Sequence, residues 1–244
     1  MAVLDVSGVS MLFGGVLALD DVDLAVEPGQ VTGLIGPNGA GKTTLFNVVC
    51  GLQAPTAGRV VLDGEDVTGR KPFERARRGV GRTFQRLEIF GSMTTYENVR
   101  LGAEIRQQWD RSWPDPDEQA AAVLDRVGLW RVADERADSL PTGLARLVEL
   151  GRALAAGPRV LLLDEPSSGL SEQESDELGV LLRELAADDL AILLVEHDVE
   201  LVMGVCHRIH VLDFGHILAV GTPAEIRSSE AVQHAYLGAS SAVA

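Results

Sequence analysis

The most informative residues are Gly-Pro-Asn-Gly-Ala-Gly-Lys-Thr at positions 36–43, which fit the phosphate-loop pattern Gly-x-x-x-x-Gly-Lys-[Ser/Thr]. The glycines allow a tight curl in which several backbone N–H groups point at phosphate oxygens. Lys42 is expected to reach the β- and γ-phosphates of a nucleotide, and the Thr43 hydroxyl to ligate Mg²⁺. The predicted nucleotide-binding residues of this segment are Gly36, Pro37, Asn38, Gly39, Ala40, Gly41, Lys42, Thr43 and Thr44.

The flanking residues supply the elements that would position this segment. Residues 31–35 have the pattern of an apolar strand, and residues 44–50 are predicted to continue a helix that begins inside the motif. Strand, glycine loop and helix in this order are the context that the motif requires, which argues against a chance glycine-rich turn. The helix N-terminus would add the positive end of its dipole to the phosphate site.

Two further strand ends carry side chains suited to phosphate chemistry. The apolar run 160–163 leads into Asp164, and a strand ending in Asp is the usual second Mg²⁺ element of phosphate-loop enzymes. Glu165 follows it and is placed to deprotonate a water for in-line attack on the γ-phosphate. The run 191–195 leads to His197, which is predicted to donate a hydrogen bond to the γ-phosphate. The alternatives are a surface carboxylate at 165 and a purely structural histidine at 197.

Composition sets the class of protein. The chain has 244 residues, of which 46% are hydrophobic, so it can bury the core of one α/β domain, with or without a subdomain. The net charge of −15 argues against nucleic acid as a partner, because nonspecific binding to nucleic acid needs a basic surface. We expect no secretory signal, no membrane-spanning segment, and two buried free thiols, Cys50 and Cys206, in a reducing cytoplasm.

One segment departs from the acidic balance. Residues 69–86 contain a run of basic side chains against one acid, Glu74. The run is either a solvated basic face or a docking surface for an acidic partner, and the sequence does not decide between them. The basic residues are Arg70, Lys71, Arg75, Arg77, Arg78, Arg82 and Arg86.

The remaining patterns predict antiparallel strands at one end of the chain and helices in the middle. Alternating segments at 3–7, 22–26 and 59–62 indicate antiparallel strands, the last of them ending in an Asp63-Gly64 hairpin turn. Residues 92–140 lack strand patterns; Trp109 and Trp113 within them are expected to pack on helices or, alternatively, to contact a partner. Further predictions are helices at 142–156, 172–187 and 223–237, a hairpin at 208–213 and 216–220, and a frayed end at 238–244.

Together these motifs resemble the ATPases of ATP-binding-cassette transporters over nearly the whole chain. They follow that family's order: phosphate loop 36–43, Gln85 after a strand, a helix-leading segment 139–144, Asp164 at a strand end, and His197. The details resemble the ATPase subunits of branched-chain amino acid importers, and related subgroups, including the lipopolysaccharide-export ATPases, share them. The stretches that carry this finer resemblance are residues 12–15, 82–85, 93–94, 97–99 and 235–238.

The resemblance implies a fold, cofactors and partners. The fold would be α/β: a phosphate-loop ATPase core in a single cassette domain, residues 1–244, with an N-terminal antiparallel β subdomain and a helical insertion subdomain at about 86–140. The ligands would be ATP and Mg²⁺, with the metal held by Thr43, Gln85 and Asp164. Integral membrane transporter subunits and a second cassette would be the partners, and would keep this cytoplasmic chain on the inner face of the cell membrane.

The resemblance also implies roles for single residues. Phe13 matches the aromatic that stacks on adenine, which suits a flat π-face. Gln85 would assist at the metal and the attacking water beside Glu165 and His197, and would report the nucleotide state to the membrane partner. The insertion would receive that partner's coupling helix. Each ATP would be closed between the phosphate loop of one cassette and the signature segment of the other.

Two segments depart from the family pattern. The usual signature Leu-Ser-Gly-Gly-Gln is replaced by Leu140-Pro141-Thr142-Gly143-Leu144, and Ser171 stands where the family usually has Asp. The phosphate side of the site is complete, whereas this chain's contribution to its partner's ATP site is altered. We therefore expect an asymmetric pair, a heterodimer, with a homodimer as the alternative.

Three functions fit these observations to different degrees. The first is a transport motor for import of branched-chain or other amino acids, or similar small polar solutes. The second is one of two alternatives to an importer. These are a soluble cassette ATPase outside transport, of the metal-cluster-assembly type, and a lipopolysaccharide-export ATPase. The third is a nucleotide sensor with little turnover, which the presence of Glu165 and His197 argues against.

Overall fold

The computed structural model describes residues 1–234, which form two sheets and the helices around them. The predicted stretch 235–238 and the end of the chain lie outside the described residues. In chain order the strands are β1 (Leu4–Phe13), β2 (Val16–Val26), β3 (Val31–Ile35), β4 (Ala57–Leu62), β5 (Glu65–Asp66), β6 (Val80–Arg82), β7 (Val160–Asp164), β8 (Ala191–Val195), β9 (Arg208–Asp213) and β10 (His216–Gly221). The helices are α1 (Lys42–Val49), α2 (Pro72–Arg77), α3 (Thr95–Gln107), α4 (Pro116–Arg126), α5 (Thr142–Ala155), α6 (Glu172–Ala187), α7 (Val199–Val205), α8 (Pro223–Ser228) and α9 (Glu230–Val232).

The first sheet is antiparallel, in the order β2-β1-β4-β5, as the alternating patterns predicted. Strands β1 and β2 are longer than the predicted segments 3–7 and 22–26, because they continue into a hairpin around Gly14 and Gly15. Asp63 and Gly64 both have positive φ, 48° and 80°, which suits the two-residue hairpin turn predicted between β4 and β5.

The second sheet has the order β10-β9-β3-β8-β7-β6, in which every pair is parallel except β9 with β10. All five residues of β3, of β7 and of β8 are buried, which explains why these strands are continuous apolar runs. Alternate residues of β7 enter different cores: Leu161 and Leu163 pack on one face of the sheet, Val160 and Leu162 on the other. The carboxyl ends of β3, β7 and β8 meet at one edge, where open α/β sheets bind their ligands.

Helices α3 and α5 lie very close to each other. A Cβ atom added at Gly102 would lie 2.1 Å from the carbonyl oxygen of Arg152, so a glycine is required at this crossing. Trp109 and Trp113 follow the end of α3 and pack inside the chain, with Arg77 5.6 Å above the Trp109 ring and Arg106 4.7 Å above the Trp113 ring. Arg77 belongs to α2 and Arg106 to α3, so both rings pack on helices. Among the described residues, no helix combines the length and the apolarity needed to cross a bilayer.

The basic run 69–86 is only partly exposed: Arg70, Lys71, Arg77 and Arg86 lie at the surface, whereas Arg75 is buried. Arg75 is 1% exposed and donates hydrogen bonds to the carbonyls of Val48 (2.7 Å) and Val49 (2.8 Å), at the C-terminal end of α1. A buried cation at this end satisfies carbonyls that the helix itself leaves unpaired. Arg70 and Arg78 both pair with Glu65.

Candidate functional site

The phosphate loop connects β3 to α1, and its curvature depends on glycine. Gly36 has φ 153°, and a Cβ there would lie 1.9 Å from the carbonyl oxygen of Leu212. Gly41 has φ 112°, and its Cβ would lie 2.6 Å from the carbonyl oxygen of Ala18. Any side chain at these positions would therefore push the loop away from β9 and β2. Helix α1 begins at Lys42, inside the motif as predicted, because the loop turns directly into it.

Lys42 is almost fully buried inside its own loop. Its ammonium donates to the carbonyl oxygens of Gly36 (2.6 Å) and Pro37 (3.0 Å). Burial lowers the pKa of Lys42, while the carboxylates of Glu165 and Asp164 act in the opposite direction. The side chain is thus held against the start of the loop, at the wall of a cavity that the rest of the loop lines.

A cavity of about 260 Å³ brings most of the predicted site residues together. Glu165 and Gln85 line it together with the phosphate loop, whereas Gly36, Pro37, His197 and the buried Asp164 are outside the lining. Phe13 lies outside the lining, 42% exposed at the end of β1. The lining residues are Ala18, Asn38, Gly39, Ala40, Gly41, Lys42, Thr43, Thr44, Gln85, Glu165 and Val195.

Glu165 contacts the other two predicted catalytic side chains, Gln85 and His197. Its backbone takes a left-handed conformation, φ 52°, which is uncommon for a residue other than glycine, asparagine or aspartate. The amide of Gln85 donates to its Oε2 at 2.9 Å, and Nε2 of His197 lies 2.5 Å from its Oε1. The unusual backbone angle turns the carboxylate out of the strand direction of β7 and toward these two partners.

Asp164 has a partner that sequence reasoning missed. Nη2 of Arg82 lies 3.1 Å from its Oδ2, and Nη1 of the same guanidinium donates to Asn47 of α1 at 2.8 Å. Burial raises the pKa of Asp164, and the positive charge of Arg82 lowers it again. The run of basic residues concealed this role, since nothing in the local pattern sets Arg82 apart from its neighbours.

Glu196 is a second positioning residue that the sequence did not single out. It is 2% exposed, and its two carboxylate oxygens accept hydrogen bonds from the backbone N–H of Ser167 (2.7 Å) and of His197 (3.0 Å). One carboxylate therefore links the loop after Glu165 to the loop that carries His197. The available signal was a charged residue directly after an apolar strand, next to a histidine that the strand end had already marked.

The oxygen donors fit Mg²⁺. A hydroxyl from Thr43, an amide oxygen from Gln85 and a carboxylate from Asp164 are the hard ligands that this ion prefers, usually together with waters and substrate phosphates. Arg82 contacts one oxygen of Asp164, which leaves the other available.

The two segments that depart from the family pattern, residues 140–144 and Ser171, lie at the starts of helices α5 and α6. Helix α5 begins at Thr142 directly after Pro141, and no side chain caps its N-terminus. Gly143 faces the start of α6, where an added Cβ would lie 2.3 Å from Oε1 of Glu174. Ser171 is the N-cap of α6 and forms a reciprocal capping box with Glu174. The serine thus keeps a helix-starting role at that position.

Comparison with known proteins matches this architecture over nearly its full length. The high-affinity branched-chain amino acid transport ATP-binding protein BraF of Pseudomonas aeruginosa is 42% identical, covering 97% of this chain and 98% of that protein. LivG of Escherichia coli strain K12, of the same description, is 41% identical over 96% of this chain and 97% of its own length. The lipopolysaccharide export system ATP-binding protein LptB of the same organism is 35% identical, with 98% of both chains covered.

Solved structures agree. The ATP-binding cassette MJ1267 of an ABC transporter superposes with a TM-score of 0.87 at 31% identity, covering 97% of this chain and 99% of that one. Its ADP conformation gives a TM-score of 0.85 at 31% identity, with coverage of 98% and 99%. The family model for "Branched-chain amino acid ATP-binding cassette transporter" matches residues 216–242. The model for "ABC transporter" matches residues 19–168, and with relatives of this identity and coverage the chain belongs to the ABC transporter family as an ATP-binding cassette.

Proposed function

We propose that this chain binds MgATP at the phosphate loop and hydrolyses it to drive import of a branched-chain or related amino acid through membrane subunits. The observation that carries the proposal is the arrangement of Glu165 between Gln85 and His197 at the mouth of the cavity that the phosphate loop lines. The names of BraF and LivG, both branched-chain amino acid transport proteins, support the choice of solute class.

The residues divide the chemical work among them. The loop N–H groups and Lys42 bind the phosphates, for which Lys42 exchanges its contacts with Gly36 and Pro37 for phosphate oxygens. Thr43, Gln85 and Asp164 would hold Mg²⁺, which supplies charge neutralisation at the phosphates when bound.

Glu165 accepts a proton from the attacking water, and Gln85 and His197 keep its carboxylate oriented. His197 also donates toward the γ-phosphate. Phe13 offers a flat, exposed face for adenine at the edge of the site.

A second cassette would complete the site. The uncapped N-terminus of α5 at residues 142–143 presents free N–H groups of the kind that bind phosphate, and in a pair it would face the other chain's ATP. Because the phosphate side here is complete and the signature is altered, we propose a heterodimer in which the two ATP sites turn over at different rates. Two copies of another cassette, MJ0796, form a dimer at 25% identity to this chain, with a TM-score of 0.79.

The membrane subunits would dock on the segment 86–140. Phe90 and Ile105 of this segment are 50% and 41% exposed and are available for contact with a partner. Docking there would place the chain on the inner face of the membrane.

The test is reconstitution of the chain with its neighbouring membrane proteins and second cassette in lipid vesicles. We expect weak ATPase activity from the chain alone, and turnover in the assembly that rises with an amino acid and its binding protein. Stimulation by lipopolysaccharide instead would indicate export, and turnover without membrane subunits equal to that of the assembly would indicate a soluble ATPase.

The asymmetry is tested separately by replacing residues 141–144 with Ser-Gly-Gly-Gln. The replacement should raise turnover in the partner's site of the assembled complex. If the unaltered chain alone already forms an ATP-dependent homodimer with rapid turnover, and the replacement adds nothing, the heterodimer proposal is wrong.

A further inference from the structure

The hairpin turn between β9 and β10 contains a residue that its backbone conformation disfavours. Phe214 and Gly215 connect the two strands, with φ 44° and 84°. A two-residue turn with positive φ at both positions is usually Asn-Gly, Asp-Gly or Gly-Gly, because a bulky side chain is strained in the left-handed region. The turn between β4 and β5 follows this preference with Asp63-Gly64, at φ 48° and 80°. Phe214 is therefore an exception within its own chain.

Packing inside the chain does not compensate for this strain. Phe214 is 84% exposed, more than any other aromatic residue among residues 1–234. An exposed ring gains little of the stabilisation that burial gives an aromatic side chain. Residues that break a local conformational rule without a packing gain are expected at functional sites, where the compensating contact comes from a ligand or a partner.

The turn is fixed against two walls of the proposed nucleotide site. The N–H of Gly215 donates to the carbonyl oxygen of Ala40 at 2.9 Å, and the N–H of Asp20 donates to the carbonyl oxygen of Gly215 at 2.9 Å. A Cβ at Gly215 would lie 3.0 Å from the carbonyl oxygen of Ala18. Ala18 and Ala40 both line the cavity of about 260 Å³ at the phosphate loop. The residue next to Phe214 therefore touches the lining of that cavity.

The order of the strands places this turn on the side of the site away from Glu165. Strands β9 and β7 lie on opposite sides of β3, which leads into the phosphate loop. On the side of β9, strand β2 continues from Ala18 back to Leu17 and Val16, which are 45% and 68% exposed, and Val16 pairs with Phe13. A nucleotide with its γ-phosphate near Glu165 would extend its adenosine half along this apolar surface.

We propose that Phe214 is a second aromatic contact, besides Phe13, for the adenosine half of the nucleotide. A flat, exposed ring can stack on a base, and every base offers a flat face for such stacking. Because both hydrogen bonds of Gly215 hold the turn in place, binding need not order the backbone that carries the ring. The inference rests on the proposed function, since it takes ATP as the ligand of the phosphate loop.

Calorimetry of the full-length chain with MgATP and with inorganic triphosphate plus Mg²⁺ tests this contact. Phe214→Asn removes the ring and supplies a residue that tolerates positive φ. We expect the variant to bind MgATP about fivefold or more weakly, from the lower end of the range for base–aromatic stacking, and to bind triphosphate with wild-type affinity. Its melting temperature should equal or exceed that of the wild-type chain, because asparagine relieves the strain of the turn.

Two further variants control for the ring and for the position. Phe214→Tyr keeps an aromatic ring at the turn and should retain wild-type affinity for MgATP. Phe73→Ala removes a ring that is 54% exposed on α2, and should leave the affinities for MgATP and for triphosphate unchanged.

The outcomes separate this inference from the proposed function. If the wild-type chain binds MgATP and Phe214→Asn binds it equally well, the inference is wrong and the proposed function stands; weaker pairing of cassettes in that variant would then assign Phe214 to the contact between cassettes. Equal losses for MgATP and for triphosphate would also overturn it, because the turn would act through Ala40 on the phosphate loop. A wild-type chain that binds no MgATP would refute the proposed function and the inference together.

Discussion

At the scale of single residues, the backbone conformation of Glu165 orients its carboxylate. Its left-handed conformation costs of the order of 1 kcal/mol or more for a residue with a Cβ. The conformation is held by a hydrogen bond from its N–H to the carbonyl oxygen of Val195 (2.9 Å) and by the contacts with Gln85 and His197. Strain of this kind persists only where the surroundings determine it, and here it aims a carboxylate into the cavity.

Phe13 carries a prediction at this scale. Phe13→Ala should weaken MgATP binding by about 1–3 kcal/mol, the range found for aromatic stacking on a base. Because the side chain is exposed, the melting temperature should stay unchanged. Calorimetry of ATP binding measures the effect, and Phe73→Ala, an exposed phenylalanine on α2, is the control. A lowered melting temperature with unchanged affinity would make Phe13 a packing residue.

His210 gives a prediction about pH. It is 5% exposed on β9, both ring nitrogens lack a hydrogen-bond partner among the described residues, and burial lowers its pKa to about 4, with Arg208 adding to the effect. In the unfolded chain this histidine is protonated below pH ~6.5, whereas in the folded chain it stays neutral down to pH ~4. Its contribution to the free energy of unfolding is therefore fully present above pH ~6.5 and is lost as the pH falls from ~6.5 to ~4. From pH 7.5 to pH 5 this one group should remove about 2 kcal/mol.

Urea unfolding at the two pH values measures this contribution. His210→Leu should lose about 2 kcal/mol less than the wild-type chain on this acidification. His234→Leu, at an exposed position, should behave like the wild-type chain. Equal losses of unfolding free energy in all three proteins would mean that the pKa of His210 is not lowered by folding.

At the scale of elements, the crossing of α3 and α5 leaves no room for a side chain at Gly102. Gly102→Ala would place a methyl group 2.1 Å from the Arg152 carbonyl, so the helices must separate. We expect a loss of about 1–3 kcal/mol in the free energy of unfolding, as for overpacking in a filled core. Gly204→Ala on α7 meets no atom within 4 Å and should be neutral or stabilising, because alanine favours helix. Similar unfolding midpoints for the two variants would contradict the close crossing.

The elements that frame the site were predictable because each has a local pattern. The apolar runs of β3, β7 and β8 are buried on both faces, and strands of this kind need no alternation to be recognised. Since the carboxyl ends of such strands meet at one edge, the sequence alone led us to expect the phosphate loop, Glu165 and His197 to lie together. The roles of the individual site residues remain predictions.

The rest was not predictable because it depends on contacts between distant segments. Arg75 and Arg82 occupy the same basic run, yet one closes the end of α1 and the other pairs with Asp164. Likewise, Glu149 has the pattern of an ordinary helix residue, yet it is 2% exposed and accepts hydrogen bonds from the N–H groups of Phe84 and Glu88. A single sequence gives the charge of such residues and leaves their burial and partners undetermined.

At the scale of the whole molecule, the site lies at the edge of the six-stranded sheet and is open on one side. Lys42, Gln85 and Glu165 line the cavity together with the phosphate loop, while the start of α5 lies apart from the cavity lining. In the proposed function, a second cassette would close over the nucleotide at this open side. The proposed asymmetric pair is one form of that arrangement.

The central claim is that Glu165 is the general base of an ATPase, and Glu165→Gln in the assembled transporter tests it most directly. The variant should bind MgATP with wild-type affinity, because the phosphate loop and Lys42 are untouched, and its turnover should fall about 10²-fold or more, as expected for loss of a positioned base. Calorimetry and phosphate release measure the two quantities on the same preparation. Unchanged binding with a turnover reduced this strongly supports the account; hydrolysis near the wild-type rate would contradict it.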